Sequence, residues 1–328
     1  MDGVLVTGGA GYIGSHVVKQ LTASGEHVVV LDNLSTGFAE AVRGAELVVG
    51  DMADTALVAK LLATHNVKSV MHFAAHTIVP ESVSDPLKYY ANNTCGALSL
   101  LRACSAHGVK HFVFSSTAAV YGLPADGVAT EQTPTAPINP YGTSKLMAEW
   151  MLRDLAATGV IRHATLRYFN VAGSDPDGDI GQSTENATLL IKVACETVLG
   201  KRPHLTLFGT DYPTRDGTCI RDFIHVHDLA AVHLLALKYL RAGGESTTLN
   251  CGYGHGYSVR EVIAAVERIH GGKLPVRESA RRPGDPPELV ANSSLLQRLF
   301  DWQPRFADLD TIVATSLRWE QHLLASGK

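Results

Sequence analysis

Short apolar segments alternate with helix-length amphipathic segments through the first half of the chain. The apolar segments, rich in Val and Phe, are Val4–Thr7, Val28–Asp32, Leu47–Asp51, Ser69–Phe73, Phe112–Ser115 and Ala164–Asn170. Their length and composition are typical of strands that are covered on both faces. After the first of them, Ile13, Val17 and Leu21 share one face of a predicted helix that ends near Gly25. Repeated strand–helix alternation predicts an α/β fold with a right-handed, doubly wound parallel sheet.

The second half of the chain lacks this regular alternation. Residues 173–186 are polar and contain Gly, Pro, Asp and Ser, which predicts a loop and a domain boundary. The elements predicted beyond it are strands Leu205–Phe208 and Thr248–Cys251 and helices Asp228–Tyr239, Tyr257–His270 and Leu309–Leu324. We expect the helix that begins at Asp228 to return to the first domain. The predicted division is therefore one domain of residues 1–172 plus about 217–245, and a smaller α/β domain of about 173–216 plus 246–328.

Composition and charge narrow the kinds of partner. The chain has 328 residues, of which 45% are apolar and 18% charged, so a globular core is expected. Its formal net charge of −4 excludes the basic field with which proteins collect nucleic acids. No apolar run approaches the roughly 18 residues that span a bilayer, and no basic leader is visible, so no membrane partner is expected. Five cysteines without a Cys-x-x-Cys pair indicate reduced thiols and a cytoplasmic protein.

A glycine-rich loop joins the first predicted strand to the first predicted helix. Gly8, Gly11 and Gly14 form a Gly-x-x-Gly-x-x-Gly variant of the fingerprint found in dinucleotide-binding, Rossmann-like sheets. Glycines at these positions allow a tight turn, let the backbone approach a pyrophosphate and let the helix pack on the strand. The helix N-terminus then offers free N–H groups to the phosphates. The loop therefore predicts a dinucleotide site.

Carboxylates at two predicted strand ends indicate how the dinucleotide is recognised. Asp32 ends the second strand, about 20 residues after the loop, where a carboxylate can accept hydrogen bonds from both ribose hydroxyls. Because this charge would repel a 2′-phosphate, NAD is expected rather than NADP. Asn33, Ser35 and Thr36 follow and are candidates for the same ribose. Asp51, at the end of the third strand, has two interpretations, an adenine contact or a helix N-cap.

A tyrosine and a lysine stand four residues apart at a predicted helix start. Tyr141 and Lys145 follow Pro140, and residues at i and i+4 share one helix face. A free phenol, with a pKa near 10, is a poor base at neutral pH, but a neighbouring ammonium favours the phenolate. Thr117, at the end of a strand, offers a hydroxyl to the same substrate oxygen. These three residues predict an acid–base site beside the nicotinamide.

The sequence resembles the extended short-chain dehydrogenase/reductases and, over essentially its whole length, the bacterial UDP-glucose 4-epimerases. The glycine loop, Asp32, the strand-end hydroxyls and the Tyr141/Lys145 pair carry the wider resemblance, and residues 209–226 are particularly specific to the narrower one. The matching stretches are Thr7–His16, His72–Ala74, Phe114–Gly122, Asn139–Glu149, Leu166–Asn170, Phe208–Asp228 and Arg282–Pro287.

The resemblance implies a redox inversion at C4 of a UDP-hexose, which interconverts UDP-glucose and UDP-galactose. Tyr141 would take the 4-hydroxyl proton while C4 passes a hydride to NAD+, and both would return after the 4-keto sugar has turned over. Lys145 would also hold the nicotinamide ribose, and Thr117 would orient the substrate oxygen, where the family more often has Ser. A homodimer is implied too, with apolar faces of 87–107 and 144–157 at the subunit contact.

Further ligand contacts rest on the resemblance. For NAD they are Tyr12, Ile13, Met52, Phe73, Ala74, Ala75, Asn93 and Tyr168. For the nucleotide sugar they are Phe169, Asn170 and Leu190 near the sugar and phosphate, Phe208 on the uracil, Arg221 and Arg282 on the diphosphate, Asp285 on the uridine ribose, and Leu289 at the pocket wall. A surface ion pair, for instance with Asp222, is the alternative for Arg221.

Three positions depart from the family pattern. Thr77 stands where some members have a lysine near the NAD phosphates, and His76 beside it is a doubtful substitute for that charge. Leu189 lies near a position that is often polar. Leu289 occupies a position thought to set the pocket width, so acceptance of N-acetylated hexoses stays open.

Other functions give different expectations. A sugar-nucleotide 4,6-dehydratase would have an Asp-Glu pair after Thr117, but Ala118 and Ala119 stand there. A decarboxylase and a non-catalytic NAD-binding protein are the remaining alternatives. No metal site is expected, because His225 and His227 have no further ligands at suitable spacing.

Overall fold

The chain forms alternating strands and helices. The computed structural model describes residues 2–185, 187–282 and 284–327. Asn186, the last residue of the predicted boundary loop, and Pro283, within the last matching stretch, lie outside these ranges. The strands are β1 (Gly3–Thr7), β2 (Val28–Asp32), β3 (Glu46–Val49), β4 (Val67–His72), β5 (His111–Thr117), β6 (Val128–Ala129), β7 (Arg162–Tyr168), β8 (Asn170–Ala172), β9 (Leu205–Phe208), β10 (Ile220–His225), β11 (Thr247–Cys251), β12 (Gly256–Ser258), β13 (Val276–Ser279) and β14 (Glu288–Ala291).

The helices vary in length and type. The α-helices are α1 (Tyr12–Ala23), α2 (Thr55–Thr64), α3 (Val79–Ser84), α4 (Pro86–Tyr89), α5 (Ala97–Ala106), α6 (Pro140–Ala157), α7 (Leu190–Val198), α8 (Val226–Arg241), α9 (Val259–His270), α10 (Ser294–Phe300) and α11 (Leu309–Ala325). Ala39–Ala41 and Ala118–Val120 are 3₁₀ turns, and Tyr90–Gly96 is a π-helix between α4 and α5. Within the described ranges, none of the helices is both long and apolar enough to cross a membrane.

Seven strands form one doubly wound sheet in the order β11-β7-β5-β4-β1-β2-β3. Strand β1 pairs in parallel with both β2 and β4, and the pairs β4–β5 and β5–β7 are parallel as well. The strand order therefore reverses between β1 and β4, and sheets of this kind bind ligands beyond the carboxyl ends of the strands at such a point. The predicted Rossmann-like α/β fold is confirmed.

Burial on both faces explains the apolar character of the central strands. Every residue of β1 and β2 is buried. Helix α1 packs on these two strands, α2 packs on β4, and α6 packs on β5 and β7. The core around them includes Leu5, Val29, Val70, Leu100 and Phe112. Because helices cover the strands, no polar alternation is required along them.

The remaining strands form smaller sheets. One has the order β12-β10-β14-β6, with β8 paired in parallel to β10, and β9 pairs in parallel with β13. Helices α7, α9 and α11 pack against one another. Their contact buries a second core that includes Ile191, Cys195, Val262, Val266 and Ile312.

The internal contacts divide the chain into two units. The first consists of Met1–Gly122, Pro134–Tyr168 and Ala230–Leu249, and the second of Leu123–Thr133, Phe169–Leu229 and Asn250–Lys328. Compared with the predicted boundaries, these units place residues 123–133, 169–172 and 217–229 with the second group and residues 246–249 with the first. From Ala230 onward, α8 belongs to the first unit. The assignment of NAD to one domain and of the nucleotide sugar to the other stays a prediction.

Several element boundaries differ from the predicted ones. The segment predicted as one strand, Ala164–Asn170, is two strands, because β7 ends at Tyr168 and β8 pairs with β10 in a different sheet. The predicted third strand ends at Val49, two residues before Asp51. Helix α9 begins at Val259, because Ser258 and Glu261 form a capping box with reciprocal hydrogen bonds of 3.1 and 2.7 Å.

Candidate active site

The glycine loop after β1 has no room for side chains at two of its three glycines. Gly8 has a φ of +74°, and a Cβ there would lie 2.5 Å from the amide nitrogen of Ala74. A Cβ on Gly14, inside α1, would lie 2.2 Å from the carbonyl oxygen of Gly8. Gly11 is the N-cap of α1 and supplies no side-chain cap to its first N–H groups. The loop is therefore a backbone cradle at a helix N-terminus, which fits a pyrophosphate.

Asp32 lies at the end of β2, beside the loop. Its Oδ2 accepts a hydrogen bond from the amide of Ala10 at 2.9 Å, and its Oδ1 accepts one from the amide of Leu34 at 2.8 Å. The carboxylate is thereby fixed with lone pairs to spare for hydroxyl donors. Asn33, Ser35 and Thr36 are exposed in the following bend, where Oδ1 of Asn33 accepts from the amide of Ser35 at 3.0 Å.

The residues after β3 correct one expectation. Asp51 neither ends the strand nor caps the next helix. Its Oδ1 accepts from the amide of Ala53 at 2.8 Å, whereas Asp54 is the N-cap of α2. The N-cap interpretation of Asp51 is therefore wrong. Asp51 is exposed and Met52 is buried, and the amide of Gly50 donates to the carbonyl of Asp32 at 3.0 Å.

The segment after β4 is tied to the glycine loop and to α6. The amides of Phe73 and Ala74 donate to the carbonyl of Thr7 at 2.8 and 3.1 Å. Asn93, on the π-helix, bonds both backbone groups of His76, at 2.9 and 3.0 Å, and donates to Oγ of Ser144 at 3.1 Å. Asn93 therefore holds the backbone of His76, three residues after Phe73, and connects it to α6 through Ser144.

The departures at residues 76 and 77 leave no cation there near neutral pH. Thr77 is exposed. Burial and the charge of Lys88 lower the pKa of His76 below its usual range, so its ring is neutral at pH 7.

Three further residues of the predicted NAD set already have protein contacts. The ring of Tyr12 packs edge-on against that of His16 with centroids 5.6 Å apart. Ile13 is half-buried in the first turn of α1. The hydroxyl of Tyr168 hydrogen-bonds the imidazole of His233, whose ring centroid lies 4.8 Å from that of Phe73.

Tyr141 stands in the first turn of α6. Asn139 caps this helix by accepting from the amide of Gly142 at 2.9 Å, and Pro140 is its first residue. The phenol hydrogen-bonds the hydroxyl of Thr117, which also accepts from the amide of Ala119 at 3.1 Å. Burial raises the pKa of Tyr141, while the Thr117 hydrogen bond lowers it. The additional lowering that the sequence suggested from Lys145 stays a prediction.

Lys145 lies one helical turn after Tyr141 and is almost fully buried. Its Nζ donates to the carbonyl of Ser115 at 2.9 Å and lies 5.1 Å from the ring centroid of Phe114. Burial lowers the pKa of Lys145 to about 7, and the charge of Glu149 acts in the opposite direction. The structure therefore connects the lysine to the same strand end, Ser115–Thr117, that contacts the tyrosine.

The second unit contains a separate group of predicted substrate residues. Arg221 on β10 forms an ion pair with Asp285, and the alternative pairing with Asp222 is wrong. The carboxylate of Asp222 instead accepts backbone amides, two of them at 2.9 Å, from Tyr253 and Gly254. Leu289 on β14 is opposite Arg221 in the strand register.

The same unit places an arginine over an aromatic ring. The guanidinium carbon of Arg282 lies 3.9 Å from the ring centroid of Phe208, and the amide of Asp285 donates to the carbonyl of Arg282 at 3.3 Å. A cation, an aromatic face and a paired arginine–carboxylate are groups that suit a nucleoside diphosphate.

The other predicted substrate residues occupy separate elements of that unit. Phe169 is buried between β7 and β8, and Asn170 begins β8 opposite Phe223 of β10. Leu190 begins α7, and Leu189 is its exposed N-cap residue. The two histidines of the His225-Val-His227 sequence lie in this unit too: Nε2 of His225 lies 3.0 Å from Oγ1 of Thr315, and its Nδ1 is 3.1 Å from the amide of His227.

The polar residues next to Lys145 were not among the predicted site residues. Glu149, one turn further along α6, receives two hydrogen bonds from Arg167 and one from Ser116. The i to i+4 spacing of Lys145 and Glu149 was a detectable signal. No sequence signal indicated the contact of Arg167 with Glu149, because Arg167 lies on a strand that no local pattern connects to α6.

Comparisons with known proteins agree on one family. The family model described as NAD dependent epimerase/dehydratase family matches residues 4–252. A UDP-glucose 4-epimerase of Azospirillum brasilense is 54% identical over 321 residues, which cover 98% of this chain and 92% of that protein.

Solved structures show the same similarity. The UDP-glucose 4-epimerase from Stenotrophomonas maltophila with bound NAD and formylated UDP-arabinopyranose has a TM-score of 0.96 and 39% identity, with 99% of this chain and 100% of that one covered. The UDP-Glc/GlcNAc 4-epimerase from Campylobacter jejuni has a TM-score of 0.86 and 46% identity, with 98% and 100% covered.

Proposed function

Because the chain belongs to the NAD dependent epimerase/dehydratase family, we propose that it interconverts UDP-glucose and UDP-galactose by inverting C4 of the hexose, with NAD as its cofactor. One observation carries the proposal: Tyr141 and Lys145, one turn apart on α6, both contact the end of β5, where the phenol hydrogen-bonds Thr117 and Nζ of Lys145 donates to the carbonyl of Ser115 at 2.9 Å. A phenol, a hydroxyl and an ammonium beyond the ends of parallel strands suit the transfer of one hydroxyl proton.

The first unit carries the groups that would hold NAD. The cradle of Gly8, Gly11 and Gly14 would take the pyrophosphate, and the fixed carboxylate of Asp32 would accept the adenosine ribose hydroxyls. Lys145 would hold the nicotinamide ribose. When bound, NAD supplies a hydride acceptor for the oxidation at C4 and a hydride donor for the reduction.

Tyr141 would move the proton in both half-reactions. Because burial raises the pKa of Tyr141, other groups must stabilise its phenolate form before it can act as a base. The hydroxyl of Thr117 donates toward the phenol oxygen, and the Lys145 ammonium adds positive charge one turn away. The proton taken from the 4-hydroxyl returns to the same oxygen, so one acid–base group is sufficient and no net oxidant is used.

The second unit carries the groups that would recognise the nucleotide. Arg221 and Arg282 would bind the diphosphate, and the ring of Phe208 would stack on the uracil. Asp285 would accept the uridine ribose hydroxyls, so the ion pair that it makes with Arg221 would be shared with the ligand.

Leu289 determines whether larger hexoses are also substrates. Its side chain is partly exposed beside Arg221, and its size is intermediate between a small residue and a tyrosine. The similar protein from Campylobacter jejuni is named as a UDP-Glc/GlcNAc 4-epimerase. We include N-acetylated UDP-hexoses as a secondary substrate class for the test below.

An exposed apolar surface supports a homodimer. Helices α3, α4 and α5 each contact α6. Together with α6 they carry five exposed apolar side chains, which we call the helical patch: Val79, Val83, Leu87, Leu98 and Trp150, with exposures of 38%, 64%, 75%, 36% and 46%. Grouped apolar surface of this kind is typical of a subunit contact, and we propose that a second copy of the chain covers it.

The cellular location follows from the thiols. None of the five cysteines, which all lie within the described residues, is in a disulfide bond. Cysteines without disulfides are the rule in a reducing compartment, so we propose that the protein acts in the cytoplasm.

The proposed function is tested by incubating the purified protein with UDP-galactose and with UDP-N-acetylgalactosamine and separating the C4 epimers. We expect conversion of UDP-galactose to UDP-glucose without net change in NADH absorbance, since the hydride returns. Accumulation of NADH would support a different redox enzyme, and conversion of neither substrate would reject the proposal.

Tyr141→Phe connects the activity to the site. We expect this variant to lose at least roughly 100-fold in kcat, the usual scale for a general acid–base group, while its thermal stability and NAD content match the wild type. A non-catalytic NAD-binding protein predicts the opposite, namely no functional effect of this substitution.

A further inference from the structure

A buried carboxylate lies behind the acid–base residues. Tyr141, Lys145 and Glu149 follow one another at four-residue intervals on α6, so they share one helix face. Glu149 is 7% exposed and lies within the same unit as the other two. Its hydrogen bonds go to Ser116 and Arg167 rather than to Tyr141 or Thr117, so its effect on the chemistry is indirect.

The carboxylate of Glu149 connects α6 to two strands of the large sheet. Its Oε1 accepts from Oγ of Ser116 at 2.5 Å and from Nε of Arg167 at 3.0 Å, and its Oε2 accepts from Nη2 of Arg167 at 2.6 Å. Ser116 and Arg167 are partners in the β5–β7 register. The guanidinium also donates to the hydroxyl of Tyr121 at 2.9 Å and lies 4.8 Å from its ring centroid. Helix and strands are therefore held in one charge-assisted network.

The strand residue held by Glu149 is the middle residue of the strand end that contacts the acid–base pair. The carbonyl of Ser115 accepts from Lys145, and the hydroxyl of Thr117 bonds Tyr141. A displacement of Ser116 would move both contacts at once, because it is bonded to each of these neighbours.

We propose that Glu149, held by Arg167, is a positioning residue for the proposed reaction: it fixes the strand end that contacts Tyr141 and Lys145, and its charge favours the ammonium form of Lys145. This proposal rests on the proposed function.

The charged and titratable groups around Lys145 support the electrostatic part. Glu149 lies on the same helix and raises the pKa of Lys145 against the effect of burial. From β4, His72 faces the lysine with a pKa lowered to about 3 and is therefore neutral. From β7, Arg167 is paired to Glu149, and on α6 burial raises the pKa of the Tyr141 phenol. Glu149 is thus the carboxylate that acts on the ammonium.

The test compares four variants with the wild-type holoenzyme. Glu149→Gln removes the charge but keeps the shape, and Glu149→Asp keeps the charge but shortens the reach. Ser116→Ala removes the bond to the strand end and keeps the charge. Glu320→Gln, in the second unit, is the control, because that carboxylate is equally buried and paired with Lys192. The readouts are the Lys145 titration, by NMR of lysines labelled with ¹³C at Cε and assigned with Lys145→Arg, the melting temperature, and kcat and KM for UDP-galactose against pH.

The expected result separates the two roles of the carboxylate. In Glu149→Gln the Lys145 midpoint should fall by about one pH unit, a tenfold change in its protonation equilibrium. From a midpoint of about 7, this lowers the ammonium fraction at pH 7, and with it kcat, about fivefold, with KM within about twofold. In Ser116→Ala and Glu149→Asp the midpoint should stay within about 0.3 pH units while kcat falls several-fold. Glu320→Gln should lower the melting temperature and leave the midpoint in place.

The proposal is overturned if Glu149→Gln keeps the wild-type midpoint and kcat and loses only stability, as the control does. If Glu149→Gln does not fold, an unchanged kcat in both Ser116→Ala and Glu149→Asp overturns it. The lysine titration requires no substrate turnover. A wild-type protein that failed to convert UDP-galactose would therefore reject the proposed function, while the midpoints would still decide the electrostatic role of Glu149.

Discussion

His72 illustrates how a single side chain in the large sheet is held in one protonation state. It ends β4 and is 2% exposed, its Nδ1 lies 2.7 Å from Oγ1 of Thr7, and its ring stacks on that of Phe114 at 5.7 Å. Burial, and then the charge of Lys145, lower its pKa to about 3. The neutral imidazole therefore adds no second cation beneath the acid–base residues.

This perturbation predicts a pH dependence of stability. The unfolded chain binds a proton at His72 below about pH 6.5, whereas the native protein does not until about pH 3, so stability falls as the pH drops through this window. The variant His72→Asn keeps a hydrogen-bond partner for Thr7. As the pH falls from 6.5 to 4.5, we expect its free energy of unfolding to decrease by roughly 2–3 kcal/mol less than that of the wild type. Urea unfolding at several pH values measures the difference.

A second histidine serves as the comparison. Burial lowers the pKa of His163 to about 4, so the pH range in which its protonation destabilises the native protein is narrower than that of His72. We therefore expect His163→Asn to reduce the loss of stability at acid pH to a lesser extent than His72→Asn does. If the curves of wild type and His72→Asn run parallel from pH 7 to 4, the imidazole of His72 is protonated in the native protein as readily as in the unfolded chain.

At the residue scale, local spacing was sufficient for some parts of the site. The glycine loop, Asp32 and the Tyr141/Lys145 pair are each defined within a few residues, and the structure places Asp32, Thr117 and Tyr141 at the predicted element ends. Partners that are distant in sequence were not accessible. Arg221 pairs with Asp285, 64 residues away, and Arg167 reaches Glu149 from a strand. No periodic pattern encodes such contacts, because they arise only when strands pair.

At the element scale, the turn between β1 and α1 depends on two kinds of glycine. Gly14 faces the carbonyl of Gly8 at a distance that excludes a Cβ, whereas a Cβ on Gly11 would lie 3.3 Å from the same oxygen. Gly14 is therefore required for helix–strand packing, and Gly11 for the open surface that a pyrophosphate would approach.

The two glycines can be distinguished by alanine substitution. Gly14→Ala should destabilise the protein by roughly 3 kcal/mol, because the new methyl overlaps backbone that cannot move aside. Gly11→Ala should cost no more than about 1 kcal/mol, the usual penalty for alanine at an N-cap, yet weaken NAD binding. Thermal unfolding and calorimetric titration with NAD are the measurements. Equal stability losses in the two variants would contradict this division of roles.

Element types were easier to predict than element ends. Strands were predicted to within about two residues where helices cover them, because their apolar runs are continuous. Their ends depend on tertiary hydrogen bonds: the amide of Phe169 donates to the carbonyl of Cys251 at 3.2 Å and separates β7 from β8. Similarly, Asp54 rather than Asp51 caps α2, a choice between two aspartates that the sequence alone leaves open.

At the scale of the whole molecule, the helical patch determines the assembly that we expect. Leu87→Lys would place a charge at its most exposed position, and desolvating that charge would oppose association. We expect the wild type to have twice the mass of one chain in light scattering after size exclusion, and Leu87→Lys to have the mass of one chain.

The matched control is Val49→Lys. Val49 on β3 is also strongly exposed, at 62%, but lies outside the helical patch, so this variant should keep the wild-type mass. A wild-type protein with the mass of a single chain would contradict the dimer. If both variants had the mass of a single chain, the effect of Leu87→Lys could not be assigned to the helical patch.

The π-helix Tyr90–Gly96 has a consequence for how chains of this type can vary in length. Each residue turns an α-helix by about 100°. Removing one residue from the π-helix would therefore rotate the preceding helices α3 and α4 relative to α5. Asn93 would then lose His76 and Ser144, its present partners. Insertions and deletions in these seven residues would therefore disrupt packing, and alignment gaps among related sequences should fall instead in exposed loops such as residues 242–246, between α8 and β11.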